Sequence, residues 1–148
     1  MGMLNALNIA GSALTAQRLR MDVTASNVAN SESTNTPRGG PYKRSRVVFQ
    51  PLRANTGQSF TSGGQSASVE SRRGVQIQGV VEDPAPPRRV FDPSHPDADV
   101  EGNVAYPNID LVTEMTDMLS ASRAYEANLT VINVAKNMMQ RAIDLGRA

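Results

Sequence analysis

The sequence predicts an α+β protein in which long N- and C-terminal helices form a coiled-coil-like layer, with a small β-rich domain inserted between them. Three observations carry that prediction. Apolar residues at both ends recur at helical spacing, the middle alternates in the manner of strands, and the composition is split accordingly. All seven Met fall near the ends, at positions 1, 3, 21, 115, 118, 138 and 139. The Phe and Tyr residues, Tyr125 excepted, lie between Tyr42 and Tyr106. Flexible Met suits helix seams that adapt to several neighbours, whereas aromatics suit a fixed pleated surface.

The first helix is read from Leu4, Leu7, Gly11, Leu14, Met21, Ala25 and Val28, a 3-4 alternation broken only at Arg18. It would be about 37 Å long at 1.5 Å per residue. Ala10, Gly11, Ser12, Ala13 and Ala16 carry little side-chain bulk, so another helix can approach closely there. A helix so poor in large residues does not hold itself together alone and needs a partner. The segment NSESTNTPRGG, residues 30–40, then ends it through Pro37 and the Gly39–Gly40 pair. Residues 1–33 are thus the first arm.

Residues 34–107 form the predicted β-rich insert. YKRSRVVFQ, from Tyr42, is a strand candidate rich in Val and aromatics. Residues 54–68 are dominated by Gly, Ser, Thr and Gln, and a flexible loop is expected over about 54–74. VQIQGVV puts Val75, Ile77, Gly79 and Val81 on one face and is the clearest strand signal. DPAPP, from Asp83, is extended, RVF follows as a short strand, and the stretch from Pro93 to Pro107 reads as a turn-rich return.

Residues 108–148 form the second arm. Leu111, Met115, Met118, Ser122, Tyr125, Leu129, Ile132, Lys136, Met139 and Ile143 keep strict 4-3 spacing. A second stripe runs beside it through Ala121, Ala124, Asn128, Val131, Ala135, Met138, Ala142 and Leu145. Asp110 is placed to cap the start and Gly146 to stop a helix about 52 Å long. One stripe can meet the first helix. The other needs another molecule, because a chain of this size has no second surface on which to bury it.

Charge and candidate chemistry narrow the function. Net charge is +1, yet residues 36–91 hold nine basic and three acidic groups (+6) while residues 92–126 hold eight acidic and one basic (−7). Adjacent blocks of opposite sign suit copies docked in a fixed register; the plainer reading is two solvated faces. The chain has no Cys, which removes disulfides, thiolate metal sites and Cys nucleophiles. No basic n-region with an apolar run opens the sequence, so a cleaved signal peptide is not expected, nor is a membrane span. His95, the single His, sits between Pro93 and Pro96 and reads as a structural loop residue. Asp97, Asp99, Glu101 and Gly102 follow the opening of a calcium loop, but position 12 is Asn108 instead of a bidentate Glu, so a solvated acidic turn is the reading. Lys43, Arg44, Arg46, Arg72, Arg73, Arg88 and Arg89 make the basic 38–89 segment an alternative nucleic-acid-binding module, with few aromatics and no known motif to support it. Asn27, Asn30 and Asn128 beside the stripes are either helix-end amides or polar residues that fix register, the second being favoured for Asn128. Arg123 and Glu126 are spaced for an i,i+3 ion pair.

Three segments carry a resemblance: NIAGSALTAQRLRMDVTASNVAN, VFDPSHPDADVEGNVAYPNIDLVTEM and MLSASRAYEANLTVINVAKNMM. They resemble the flagellar rod and hook family of axial proteins, nearest its short proximal-rod type, over nearly the whole chain apart from the loop at about 54–74. In the wider family the first helix is usually followed by AN-x-x-T-x-G, whereas here Ala29–Asn30 leads to Ser33 and Pro37. The resemblance implies a structural subunit with no enzymatic activity and no cofactor or metal. It implies a place in the basal-body rod of the periplasmic space, with export through the flagellar type III apparatus and no signal cleavage. Its expected partners are other copies of itself, the rod proteins FlgB, FlgF and FlgG, and FliE, together forming a helical tube that transmits torque. The assembly positions expected on the first helix are Leu7, Leu14, Met21, Asn27, Val28 and Asn30. On the second they are Leu111, Met115, Met118, Arg123, Tyr125, Asn128, Leu129, Ile132 and Met139.

Overall fold

The computed structural model describes residues 3–53 and 72–147. Two helices bracket two small sheets, which is the α+β arrangement expected. Helix α1 spans Met3–Ala29 and α2 spans Leu111–Arg147. Between them lie β1 (Ser45–Arg53), β2 (Arg72–Glu82), β3 (Arg88–Phe91) and β4 (Asn103–Tyr106). β1 pairs antiparallel with β2, β3 pairs antiparallel with β4, and the two ladders remain separate two-stranded sheets.

The boundaries follow local chemistry. Asp110 caps α2: one carboxylate oxygen accepts the Val112 N–H at 3.2 Å, the other accepts the Thr113 hydroxyl, and its carbonyl accepts the Glu114 N–H. The Val112 bond satisfies an N–H group that a helix start otherwise leaves orphaned, and the Glu114 bond is the first of the regular helical ladder. Asn30 closes α1 by donating its side-chain amide to the Ser26 carbonyl at 2.8 Å. Gly146 does not stop α2, which runs on through Arg147.

The insert departs from expectation in two places. β2 begins at Arg72, so the last three residues of the predicted 54–74 loop are strand, while residues 54–71 lie outside the described ones. The predicted return from Pro93 to Pro107 contains a full strand, β4, whose Val104 is wholly buried. NVAY is too short to show periodicity, and its strand character comes from pairing with β3 across the turn. On β2, Val75, Ile77 and Gly79 are half-buried, but Val81 at the far end is 53% exposed. β2 and β1 both rest against α1.

α1 and α2 pack side by side, and their paired residues show that they run antiparallel: Asn27 meets Glu114 and Arg20 meets Asp117. The buried line along α1 is not the large-residue stripe that the spacing picked out. Ala10, Ala16, Thr24 and Asn27 are buried, Leu4 is 71% exposed, and Leu7, Leu14, Met21 and Val28 are only half-covered. Across from it, Ala121 and Ala135 are buried on α2. Small residues on both helices let the backbones draw close, and the large apolar groups are left along the flanks.

Candidate functional site

The chain's polar centre lies where α1, β1 and α2 converge. Asn27, buried in the last turns of α1, binds both backbone groups of Ser45, accepting its N–H at 2.9 Å and donating to its carbonyl at 2.8 Å. Its amide also donates to Oε2 of Glu114 at 2.9 Å, and its oxygen accepts from the Tyr42 hydroxyl at 3.1 Å. Thus all four hydrogen-bonding positions of one amide are filled. Glu114 is 1% exposed, and its other oxygen takes the Nε and Nη2 groups of Arg44, each at 2.6 Å. Arg44 in turn faces Asp83 at 3.7 Å and Asp117 at 3.8 Å, and Asp117 holds Arg20 at 2.8 Å. A cleft of about 310 Å³ opens beside this cluster, lined by Arg20, Thr24, Arg46, Phe49 and their neighbours.

A buried carboxylate so completely paired ties three elements together. Sequence reasoning missed Glu114, Arg44, Asp117, Arg20 and Tyr42 as members of one site. A signal for Glu114 did exist. Ala135, Asn128 and Ala121 step back by sevens along the second stripe of α2, and the next step reaches Glu114.

The expected assembly residues divide between helix flanks and the interior. Asn27 is consumed inside the molecule, so it presents nothing to a neighbour. Asn30 turns onto its own helix end, accepting the Ser33 hydroxyl at 3.2 Å as well as bonding Ser26. Asn128 also bends back, donating to the Ala124 carbonyl of its own helix at 2.7 Å. Arg123 and Glu126 are exposed and do not pair with each other, since holding two long chains in one pose gains little in water. On α2, Leu111 (44%), Met115 (54%) and Leu129 (43%) are exposed, while Met118, Tyr125, Ile132 and Met139 are half-buried. Val112, Leu119, Val131, Val134, Met138, Ile143 and Leu145 add further exposed apolar surface to the same helix. Taken together, α2 offers apolar groups on far more of its circumference than α1 covers.

The candidate ion residues and part of the basic segment are engaged within the fold. Asp99 accepts the N–H groups of Glu101 and Asn103, and Asp97 accepts the Thr34 hydroxyl at 2.7 Å. Asp92 accepts the Ser94 hydroxyl and N–H, and that bonding holds its carboxyl below the ordinary value. Among the described residues no group of three His, Asp or Glu could hold a metal ion. His95 packs edge-on against Tyr106, with ring centroids 6.0 Å apart. In the basic segment, Arg44 is drawn inward to Glu114, and Arg38 pairs with Glu82 at 3.1 Å. Among the described residues no helix is long and apolar enough to cross a membrane.

Comparison with known proteins matches both ends of the chain. The family model described as "Flagella basal body rod protein" matches residues 7–37, and "Flagellar basal body rod FlgEFG protein C-terminal" matches residues 100–145. The flagellar basal-body rod protein FlgC of Borreliella burgdorferi is 43% identical over 147 residues, covering 97% of both chains. FlgC of Escherichia coli O6:H1 is 43% identical over 99% of this chain and 100% of its own. The chain belongs to the FlgC family. FlgC of Bacillus subtilis, 40% identical over 97% of both chains, shows that the likeness spans distant bacteria. FlgC proteins are structural components of the flagellar basal-body rod, so the chain is a rod subunit and not an enzyme. The nucleic-acid alternative finds no support among these relatives.

Proposed function

We propose that this rod subunit assembles through the helix faces that its own fold leaves uncovered. The observation that carries the reading is the excess apolar surface of α2: one line meets α1, and another stays in water from Val112 to Leu145. Exposed apolar area of that extent is stabilised by burial against neighbouring helices, at about 25 cal/mol per Å². Leu7, Leu14, Met21 and Val28 on α1, with Leu111, Met115, Met118, Arg123, Tyr125, Leu129, Ile132 and Met139 on α2, supply the contact surface. Asn27, Asn30 and Asn128 act from behind it, setting helix ends and register inside the subunit.

In this reading residues 1–33 and 108–148 form the inner layer of a helical tube and residues 34–107 its outer domain. The subunit contacts further copies of itself and other rod components, FlgB, FlgF, FlgG and FliE among them. It reaches the periplasmic space through the flagellar type III export apparatus without losing a signal peptide, and the finished rod transmits torque. Contacts of the head-to-tail kind that do not close on themselves give such open helical polymers.

The test uses Leu129→Asp and Ile132→Asp, which place a charge on α2 at positions away from the Glu114 cluster. Each should abolish swimming and remove the chain from isolated basal bodies, while the purified variant keeps its circular dichroism. Swimming cells that carry either variant would refute the assignment of this face.

A further inference from the structure

The β3–β4 unit carries contrasting features at its two ends. Near the start of β3, Arg88 and Arg89 are exposed, and neither enters a salt bridge among the described residues. The Arg88 guanidinium lies 5.9 Å from the centre of the Tyr106 ring. Beside it is a cleft of about 410 Å³ lined by Glu32, Arg88, Val90, His95 and Tyr106. Beyond the other end of β3, the turn from Asp92 to Gly102 lifts Val100 entirely into water, at 107% exposure. Glu101 follows it, exposed and, among the described residues, with no side-chain hydrogen bond or salt bridge of its own.

This projection is firmly built. Asp99 ties down the Glu101 and Asn103 N–H groups, and Gly102 adopts φ +79°. A side chain at Gly102 would start 3.0 Å from the Phe91 ring, so the turn closes only with Gly. An apolar tip held in one conformation loses little freedom on docking.

We propose that Val100 and the Glu101 carboxylate dock into the Arg88–Tyr106 cleft of a second copy of this chain, joining subunits head to tail. A second copy is the occupant because the complementarity lies within this one sequence. The projection belongs to the block of net charge −7 and the cleft's Arg88 to the block of net charge +6. The Val side chain meets Val90 and the Tyr106 ring, and the carboxylate meets Arg88. Glu32 sits across the cleft and repels the incoming acid, which biases it toward the arginine side. Knob and cleft are different surfaces, so each addition leaves one of each free, as an open polymer requires. The inference rests on the rod reading and names a contact outside the helical layer.

The absence of Cys makes the test clean. The double variant Val100→Cys/Glu32→Cys is expressed in place of the native chain, and isolated basal bodies are mildly oxidised. Disulfide-linked multiples of the 15.9 kDa chain are expected, and they should vanish in either single variant. A monomer only, dimers from Val100→Cys alone, or linkage only to a different protein would each overturn the proposal. Should the thiol variants fail to enter basal bodies, charge reversal decides: Arg88→Glu and Glu101→Arg should each reduce swimming and the pair should restore it. Failure of the pair to restore, or full swimming by both singles, also overturns it. Absence of the native chain from basal bodies would instead sink the rod reading itself.

Discussion

At the scale of single residues, Glu114 is sheltered because both its oxygens have partners, Asn27 on one and Arg44 on the other. Removing one partner of such a pair leaves an uncompensated buried charge, which costs about 3–5 kcal/mol. Arg44→Ala should therefore lower the free energy of urea unfolding by that much, and Arg44→Ala combined with Glu114→Gln should recover part of the loss. Asp110 makes a pH prediction. The Thr113 hydroxyl, and then the Val112 N–H, hold its carboxyl below the ordinary value. A depressed folded value means stabilisation that is full above the unfolded carboxylate range and lost as pH falls through the folded one. Asp110→Asn should keep the cap and flatten that acid limb, read as melting temperature against pH. Gly74, at φ +135°, lies so close to Ser12 that a Cβ would overlap its hydroxyl, which accepts the Val75 N–H at 3.1 Å. Gly74→Ala should destabilise by about 1–3 kcal/mol in denaturant unfolding. Of these features only the Asp110 cap was legible beforehand. Glu114 was hidden because a charge in a helix is ordinarily a solvated one, and its partner Arg44 lies 70 residues away in sequence.

At the scale of elements, both helices were legible because their apolar repeats run for many turns, and long periodic signals outweigh local noise. On α1 the small residues Ala10 and Ala16, read from the sequence as a place where a helix can approach closely, are the buried ones, while the large residues of the stripe stay half-covered. Small residues are also the buried ones on α2, at Ala121 and Ala135. Enlarging Ala121, which is fully buried, should force the helices apart: Ala121→Leu should lose about 1–3 kcal/mol in thermal or urea unfolding, where Ser122→Leu should not. β4 escaped notice for a different reason. Four residues carry no usable period, and their conformation is imposed by the partner strand, a contact of the folded chain rather than a property of NVAY.

At the scale of the whole molecule, α1 is 27 residues long and α2 is 37. Antiparallel pairing anchored at Asn27–Glu114 therefore lets the last turns of α2 overrun the start of α1, and residues 140–146 are all exposed. Amides there should exchange within seconds in the isolated chain, as fraying helix ends do, and become protected in assembled rods. Equal protection in both states would mean that assembly leaves this end bare.

The Asn27–Glu114–Arg44 cluster has a mechanical consequence. It is the junction through which the helices grip the insert, and its bonds to Ser45 run side by side from one amide. A twist applied along the helices reaches β1 through those bonds acting in parallel, so neither is strained alone. Cutting those two bonds with Asn27→Ala would leave the polar grip on the insert to Arg44, held by Glu114 and Asp117, and to the Ser12 hydroxyl on Val75. The subunit would then carry torque between its two parts through fewer and longer side chains, a softer coupling rather than a broken one.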